Sequence, residues 1–349
     1  MTLETLASIG HELDVPRFSV EVGSETFEET SGLFTEVSVD RTISGADHFS
    51  LAISTRFDHE TGEFVDVEWE DFPIGESVEI HLGYGATLQR VLTGTITEHG
   101  TDFPAGGAPT ITVRGYGRYH ELTKDVVEEQ WEEKTDAEIV EALADAYGFE
   151  AVVDPTPGGE TKVENEYDSD AAFLEEKLAT RNESGTGPFD VFARLDELVF
   201  RAPRDGGEPQ LTLTYGESLQ SFAPTLTEAE THGRIEVRHW DPTRKSEIVG
   251  VAESEDGTGK RVIRRPVRSE DEARRIAQAV LRRERRDRLR GNGTTIGLPE
   301  FEIGEPIVLS GLGERFSGTY YVEGVTHTIG SGGYSTDFDV REAMGGVLS

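Results

Sequence analysis

The stretch FEIGEPIVL, residues 301–309, decides the fold, because a close copy of it, FPIGESVEI, stands at residues 72–80. In both copies apolar residues alternate in part with polar ones, as they do in half-buried strands. Gly75 and Gly304 interrupt the alternation at the same place, where a bulge or a tight turn is expected. Pro306 cannot donate to a strand ladder, so it must lie at an edge or at the start of a strand. Each copy is therefore predicted to form a strand, a turn and a strand.

Two further similarities follow in the same order along the chain. LTGTITEH (residues 92–99) matches FSGTYYVEGVTH (316–327), and TITVRG (110–115) matches TDFDVRE (336–342). The offset between the copies varies only by what loops can absorb, so the sequence predicts one β unit that is used twice. Two histidines at equivalent positions indicate a duplicated structural residue rather than two metal sites. The alignment pairs His99 with His327, Val113 with Val340, and Arg114 with Arg341.

The composition is that of an acidic protein. The 349 residues contain 68 Asp and Glu against 33 Lys and Arg, which gives a formal net charge of −35, and only 6 of the 33 cations are lysines. Such a surface is typical of proteins that work in molar salt, where charges are screened over about 3 Å. We therefore expect a halophilic, haloarchaeal protein, with an acidic protein of ordinary cytoplasm as the alternative. In either case whole-molecule attraction to DNA or to anionic lipid is not expected.

The absence of cysteine excludes a disulfide framework, a thiolate nucleophile and Cys-ligated zinc. The first residues, MTLETLASIGHELD, lack the basic region and the apolar core of a secretory signal, and nowhere do about 18 apolar residues run together. We therefore expect synthesis in the cytoplasm and no membrane span. A protein of this kind that acts outside the cell would have to leave by assembly, lysis or a dedicated machine.

The length of the chain predicts two or three domains. After an N-terminal arm (1–14), residues 15–123 contain about six or more short strands with turn-rich links, which predicts a barrel or a sandwich. Residues 124–217 predict a small helical α+β domain, and residues 218–349 return to β structure with a helix at about 270–290. The predicted fold class is mainly β with an α+β insertion, in which two similar β-barrel-like domains flank the small one.

Local signals place the helices and turns of the later part of the chain. Thr135 and Glu138 form a candidate capping box that opens a predicted helix over residues 136–147. The pieces FDVFAR and ELVFRAP predict a hairpin. The helix near residue 280 should stop at Gly291 or Gly293, because glycine is common just beyond a helix end.

The sequence contains no catalytic or metal-binding motif that we can recognise. None of the nine histidines falls in an HExxH pattern, and there is no GxSxG elbow. Carboxylate pairs are so numerous that choosing two as a glycosidase dyad would be arbitrary. GNGTTIG (291–297) resembles a phosphate loop only superficially, because it follows a helix and lacks the Walker lysine. We therefore predict no catalytic residue, no cofactor-binding residue, no metal site and no cofactor.

One run of arginines departs from the acidic composition. Its members repel one another unless anions or acidic side chains meet them. We predict a protein interface here, because the guanidinium fork suits carboxylate pairing and each identical neighbour offers many carboxylates. A solvated surface and a nucleic-acid contact are the alternatives. The candidate interface residues are Arg282, Arg283, Arg285, Arg286, Arg288 and Arg290.

Most of the chain resembles one family of proteins. The order of its segments is similar to that of the late control protein D family, the baseplate hub proteins of contractile phage tails and of contractile injection systems. The segments that carry the resemblance are DHFSLAI (47–53), FPIGESVEIHLGYG (72–85), VLTGTITEHGTDFP (91–104), TITVRGYGRYHEL (110–122), DSDAAFLEEKLATRN (168–182), LVFRAP (198–203), WDPTRKSEIVGVA (240–252) and GLPEFEIGEPIVLSGLGERFSGTYYVEGVTHTIGSGGYSTDFDVR (297–341).

The resemblance implies a structural protein that is not an enzyme. It implies a homotrimer whose two β domains per subunit form a pseudo-six-fold ring, an adaptor between the six-fold inner tube and the three-fold central spike. The chain stops soon after the second β domain, so the spike should be a separate chain. Other implied partners are the tube or tube-initiator protein and further baseplate proteins, without nucleic acid, in a virion tail or an injection particle.

Several alternatives stay open. A tail-associated hydrolase that acts on a cell-envelope polymer is the second functional hypothesis, although no lysozyme or peptidase region is visible. The sequence also leaves open whether the particle is a virus or a cell-encoded device, whether it is released, which cell it targets and what cargo it carries.

Overall fold

One 13-stranded, mostly antiparallel sheet organises the described part of the chain. The computed structural model describes residues 15–65, 67, 69–105, 109–128, 130–158, 162–182, 188–227, 232–241, 245–254, 257–267, 269–286 and 288–343, and it describes residues 241, 272, 282, 283, 285 and 286 by their backbone alone. The predicted N-terminal arm, 1–14, lies outside the described residues.

The first β unit comprises residues 15–123. Seven of its strands join in the order β2-β1-β7-β8-β9-β4-β3, each antiparallel to the next, while β5 and β6 form a separate hairpin. Short 3-10 turns lie at Glu29–Ser31, Trp69–Asp71 and Arg118–Thr123. The strands are β1 (Pro16–Val22), β2 (Glu25–Glu28), β3 (Phe34–Thr42), β4 (His48–Ser54), β5 (Phe57–Asp58), β6 (Glu63–Phe64), β7 (Ser77–Tyr84), β8 (Thr87–Asp102) and β9 (Thr110–Gly117).

A central unit of helices and short strands follows. The strand pair β10–β12 and the three-stranded sheet β11-β14-β13 pack with the helices around a core of their own. Its elements are β10 (Gln130–Glu132), α1 (Asp136–Ala146), β11 (Glu150–Val153), β12 (Lys162–Glu164), α2 (Asp170–Ala172, continued by a π-helical stretch, Phe173–Ala179), β13 (Asp190–Arg194) and β14 (Glu197–Arg201).

The rest of the chain forms the second β unit, interrupted by an insert. The second β unit has the strand order β15-β21-β22-β23-β20-β16, and the insert, residues 232–288, has the order β18-β17-β19 with one helix against it. The elements are β15 (Leu211–Thr214), β16 (Leu219–Leu226), β17 (Arg234–Asp241), β18 (Ser246–Glu253), β19 (Lys260–Arg264), α3 (Glu270–Arg286), β20 (Leu289–Ile296), β21 (Pro306–Ser310), α4 (Gly313–Phe316), β22 (Gly318–Gly330) and β23 (Gly333–Glu342).

The structure confirms several local predictions. The fold is mainly β, with few helices and a large antiparallel sheet. The capping box of α1 is present, because the Glu138 N–H donates to Thr135 Oγ1 (3.2 Å) and the Thr135 N–H donates to the Glu138 carboxylate (2.8 Å). The predicted hairpin is β13–β14, and Pro306 is the first residue of its strand, where its missing N–H costs no ladder bond.

Two predictions about element boundaries were wrong. The strand β15 lies within the predicted helical domain, 124–217, yet it pairs with β21 of the second β unit. Helix α3 ends at Arg286, and Gly291 and Gly293, the predicted helix stops, lie within β20. The ring of Phe222 lies against Gly291 and that of Phe338 against Gly293, so close that a Cβ at either position would collide with it. These glycines make room for aromatic packing.

The pairing of the two copies found in the sequence also needs correction. Gly75 and Gly304 do share one role: each has a positive φ, and each N–H donates to a carbonyl on the long neighbouring strand, that of Ile96 (2.8 Å) or that of Val322 (2.9 Å). Both long strands change register just beyond this residue. Counted from the bulges, His99 therefore matches Val325 rather than His327. The paired residues of β9 and β23 shift equally, so Val113 matches Phe338 rather than Val340, and Arg114 matches Asp339 rather than Arg341.

Candidate assembly interface

The two β units meet in a seam, which we define as the pairing of β3 with β22. The strands are antiparallel, and seven residue pairs run from Thr42–Gly324 to Glu36–Gly330. The Ile43 N–H donates to the Glu323 carbonyl (3.0 Å) just beyond the first of these pairs. Through the seam the sheets of the two units form one continuous surface, so a strand of one unit completes the edge of the other.

A buried histidine lies beneath the seam. His327 Nδ1 lies 3.1 Å from Thr336 Oγ1 and 3.0 Å from the Tyr334 hydroxyl, and its side chain has no solvent exposure. Burial, together with the nearby Arg41 guanidinium, lowers the pKa of His327 to about 3. The imidazole is therefore neutral at physiological pH and serves as a hydrogen-bonding residue of the core.

Three buried arginines form ion pairs, two of them between units and the third between β23 and the segment that precedes β15. Arg41 of β3 donates to Glu302, across the two β units, with Nη2 2.7 Å from Oε2. Arg201 of the central unit donates to Glu305 of the second β unit (2.9 Å) and to the Gly304 carbonyl (2.7 Å). The third, Arg341, makes a two-pronged contact with Asp205. The pairs of Arg41 and Arg201 fix the units against one another, because a buried charge that loses its partner is costly.

Among the strand edges of this sheet that have no partner within the described chain are those of β16 and of the outer part of β8. Strand β16 pairs with β20 on one side only. Strand β8 pairs with β7 up to Thr95 and with β9 from Gly94 onward, which leaves one side of residues 98–102 open. Open edges present rows of backbone donors and acceptors that favour pairing with another strand.

Exposed aromatic side chains lie beside the open edge of β8. Trp69 stacks on His99 with ring centroids 4.9 Å apart, and Phe103 packs edge-on against Phe57 at 5.2 Å. Phe64 contacts both Trp69 and Phe103. The relative exposure of Phe103 is 56% and that of Trp69 is 39%. An exposed apolar cluster of this kind is typical of a binding surface.

The insert presents a charged sheet face with apolar residues in it. Glu236 on the middle strand makes ion pairs with Arg234, Arg238 and Lys260, each at 2.7 Å. On the same face Trp240 is 59% exposed. The opposite face of the sheet packs on α3.

The structure separates the six predicted interface arginines. Arg282, Arg283, Arg285 and Arg286 lie on the last turns of α3, and their side chains lie outside the described residues. Arg288 is exposed just beyond the helix, whereas Arg290 belongs to β20 and lies 3.6 Å from Glu323. The sequence did not single out the open strand edges.

The described residues offer no obvious chemistry. No three His, Asp or Glu side chains among them are placed to hold a metal ion, and none of the helices described is long and apolar enough to cross a membrane. An open cleft of about 710 Å³ lies between the seam and the central unit. Its walls carry carboxylates from both β units and the central unit: Asp40, Glu175, Asp190, Glu323 and Asp339.

The chain belongs to the family described as Alg8 N-terminal domain, whose sequence profile matches residues 12–261 and 260–331. No curated protein matches the sequence. Among solved structures, the chain is similar to the 43 kDa tail protein of prophage MuSo2 from Shewanella oneidensis, with 13% identity, a TM-score of 0.75, and coverage of 93% of this chain and 98% of that one.

Two further structures have the same fold. A tail protein from Neisseria meningitidis is 14% identical with a TM-score of 0.70, covering 94% of this chain and 97% of its own. An Escherichia coli component of the type VI secretion system is 15% identical with a TM-score of 0.50, covering 92% and 74%. At these identities the comparisons establish the fold, which is that of phage tail proteins.

Proposed function

We propose that this protein is a structural baseplate hub of a contractile tail or injection device, in the late control protein D family and of haloarchaeal origin. Three copies form a pseudo-six-fold ring that joins the six-fold inner tube to a three-fold spike on a separate chain. Other baseplate proteins surround it, and the role is not enzymatic. The tail-protein fold, shared over 93% and 94% of the chain with two tail proteins, supports this assignment.

Two similar β units support such a ring. The first runs β1-β7-β8-β9-β4-β3 and the second β15-β21-β22-β23-β20-β16, and the corresponding strands follow one another along the chain in the same sequence. Two differences are that β15 is parallel to its neighbour while β1 is antiparallel, and that β2, the outer partner of β1, has no counterpart in the second unit. The bulges also correspond, namely Phe34–Glu36 with Leu219–Ser221 and Ile96–Glu98 with Val322–Gly324.

The observation that carries the proposal concerns the two strands of the seam, β3 and β22. Each has a counterpart in the other β unit, and the corresponding edge of that counterpart has no partner within the described chain. Strand β16 holds in the second unit the place that β3 holds in the first, and the outer part of β8 holds the place of β22. A β16 edge of one copy on the β8 edge of the next therefore repeats the seam between copies. We call this contact the outer seam. A rotation that closes after three copies then gives six units around one axis.

The bulges fix the register of the outer seam. Ser38 lies two residues beyond the β3 bulge and pairs with Thr328, four residues beyond the β22 bulge. Ala223 and Asp102 lie at the same distances from the bulges of β16 and β8. In the outer seam Ala223 of one copy therefore faces Asp102 of the next.

Cysteine pairs test this register directly, because the chain has no cysteine of its own. In Ala223→Cys/Asp102→Cys we expect disulfides between chains after mild oxidation. Ile43 and Glu323 form a hydrogen-bonded pair, so Ser38 and Thr328, five positions along, form a non-hydrogen-bonded pair, and Ala223 and Asp102 should do the same in the outer seam. The Cα atoms of a non-hydrogen-bonded pair lie about 4.5 Å apart, within disulfide range. Denaturing gels without reductant should show covalent species of two and three chains.

Matched variants make the outcome specific. Ser38→Cys/Thr328→Cys in the internal seam should form its disulfide within one chain, so this variant should run on the gel as a single chain. In Ala223→Cys/Glu98→Cys the second cysteine lies four residues from Asp102 along β8, too far from residue 223 of the neighbouring copy, so this variant should stay unlinked. Monomers alone in the first variant would contradict the outer seam, and a ladder extending beyond three chains would contradict the trimer.

We propose that the units of the chain occupy different places in the assembly. Residues 15–123 and the second β unit form the ring, and the central unit, which begins at about residue 124, lies outside it. The arginine run stays a proposed contact with a neighbouring protein.

A further inference from the structure

The positive charge of this acidic protein is concentrated in and just after the insert. Residues 232–290 contain 17 of the 33 Lys and Arg of the chain but 11 of its 68 Asp and Glu. This segment therefore has a formal charge of +6, against −41 for the rest of the chain. A segregation of this size favours contact with an acidic surface, and the remainder of an identical copy, with a formal charge of −41, offers one.

The insert also has the composition of a binding surface. Arg264, Arg265 and Arg275 are exposed and make no ion pair within the described part of the chain. On the outer sheet face, Trp240 (59% exposed) and Val262 (38% exposed) lie among charged side chains. Tryptophan and arginine are the residues that most often carry binding energy at interfaces.

A complementary surface lies on the first β unit, in what we call the acidic loop, residues 58–76. This loop contains eight Asp and Glu and no Lys or Arg. It also exposes three large apolar residues: the relative exposure is 53% for Val65, 39% for Trp69 and 62% for Ile74. Apolar residues surrounded by carboxylates suit a partner with apolar residues surrounded by cations.

The outer seam brings these two surfaces together. The insert leaves β16 just after Thr227, and the register places Thr227 opposite Glu98 of the next copy. At the corresponding end of the internal seam, Arg41 reaches Glu302, two residues before Gly304. In the first β unit Gly75 corresponds to Gly304, and the residue two positions before Gly75 is Pro73, which belongs to the acidic loop.

We propose that the insert of each copy binds the acidic loop of the next copy, so that charge pairing and strand pairing together hold the ring. This inference rests on the proposed function, because the outer seam supplies the proximity. The partner is a second copy of this chain. Arg264 and Arg265 face its carboxylates, and the exposed apolar residues of both surfaces exclude water between them.

Charge reversal in the full-length protein tests the contact. Arg264→Glu/Arg265→Glu should weaken self-association about tenfold or more, since like charges that face one another across an interface repel. Glu60→Lys/Glu63→Lys should have a similar effect, and the combination of all four changes should restore association close to that of the parent protein. Sedimentation velocity at one fixed salt concentration measures the dissociation constants, and Arg315→Glu/Lys124→Glu, outside both surfaces, should leave association unchanged.

The outcomes separate this inference from the proposed function. Unchanged association in both reversed variants, while the Ala223→Cys/Asp102→Cys disulfides still form, would overturn the inference and leave the hub standing. Failure of those disulfides to form would instead contradict the outer seam and, with it, the ring of the proposed function. If reversing Arg264 and Arg265 abolished binding of a labelled oligonucleotide without affecting association, the insert would be a nucleic-acid contact and the inference wrong. Circular dichroism melting curves must match among variants, so that lost association is not lost folding.

Discussion

Asp205→Ala should cost about 3 kcal/mol of unfolding free energy, because it removes the main partner of a fully buried guanidinium. The side chains of Asp205 and Arg341 have no solvent exposure, and Arg341 Nη2 donates to Asp205 Oδ2 at 3.1 Å. Breaking a buried pair from one side typically costs about 3 to 5 kcal/mol. The lower end applies here, because Arg341 Nε also lies 3.3 Å from Glu323 and the guanidinium lies 4.2 Å from the centre of the Tyr321 ring.

Urea denaturation followed by circular dichroism, at one fixed molar salt concentration, measures this cost. The matched control is Glu164→Ala, whose partner Lys162 is exposed, so that its loss should change the free energy of unfolding far less. Arg341→Met/Asp205→Leu should recover most of the stability lost in Asp205→Ala, since an apolar pair of similar volume removes the buried charge altogether. If Asp205→Ala proved as stable as Glu164→Ala, the argument from burial would be refuted.

Three further predictions concern stability. Removing salt should lower the melting temperature, because the net charge of −35 is then unscreened, and a flat or rising melting temperature across a salt series would contradict the halophilic interpretation. Burial raises the pKa of Asp47 to about 7, so the folded chain keeps a proton that the unfolded chain releases between about pH 4 and 7, and stability falls as pH rises through that window. Asp47→Asn should therefore gain stability relative to the parent above pH 7 and gain none at pH 4, as urea midpoints at both pH values would show. Gly293→Ala should cost about 1 to 3 kcal/mol because its Cβ meets the Phe338 ring, whereas Gly332→Ala, with open space around it, should be close to neutral in the same urea assay.

Elements with strong local signals were predictable from the sequence. The capping box at Thr135 and Glu138 makes a helix start that depends on neighbouring residues alone. The hairpin β13–β14 turns at Leu195, with φ of 54°, and at Asp196, between two apolar runs. Gly75 and Gly304 marked equivalent turns because both need positive φ. In each case the deciding interactions lie within a few residues of one another.

The register of the two units was not predictable, for a physical reason. A slip of one residue moves a strand's apolar side chains to the opposite face, but a slip of two residues leaves them where they were. The error in pairing His99 with His327 was such a two-residue slip, so the alternation pattern could not reveal it. The bulges that set the true register, after Ile96 and after Val322, depend on long-range hydrogen bonds to Gly75 and Gly304.

The insert was missed as a separate unit because its strands alternate like those around it. Ile235, Val237 and Ile248 pack with α3 in a core of their own, apart from that of the second β unit. The charge distribution was the signal that could have revealed it, since residues 232–290 carry about half of the cations of the chain. The arginine run at residues 282–290 is one end of this longer cationic segment.

Pro224 limits how tightly copies can pair along the outer seam. The Thr227 N–H donates to the carbonyl of Arg288, the residue before β20 (2.9 Å), so the backbone groups of alternate residues of β16 face β20, and those of Pro224 face the open side. Proline supplies no N–H there, whereas Val39, at the same place in β3, can supply one. An edge with proline also resists uncontrolled strand addition.

The outer seam then lacks one backbone hydrogen bond that the internal seam can form, and the contact between the insert and the acidic loop has to supply part of the attraction between copies. Salt screens that attraction, but it also screens the repulsion between two chains of charge −35. The two effects oppose each other. The proposed ring therefore depends on a salt concentration high enough to let acidic copies approach, while the strand pairing, which salt screens less, fixes their register.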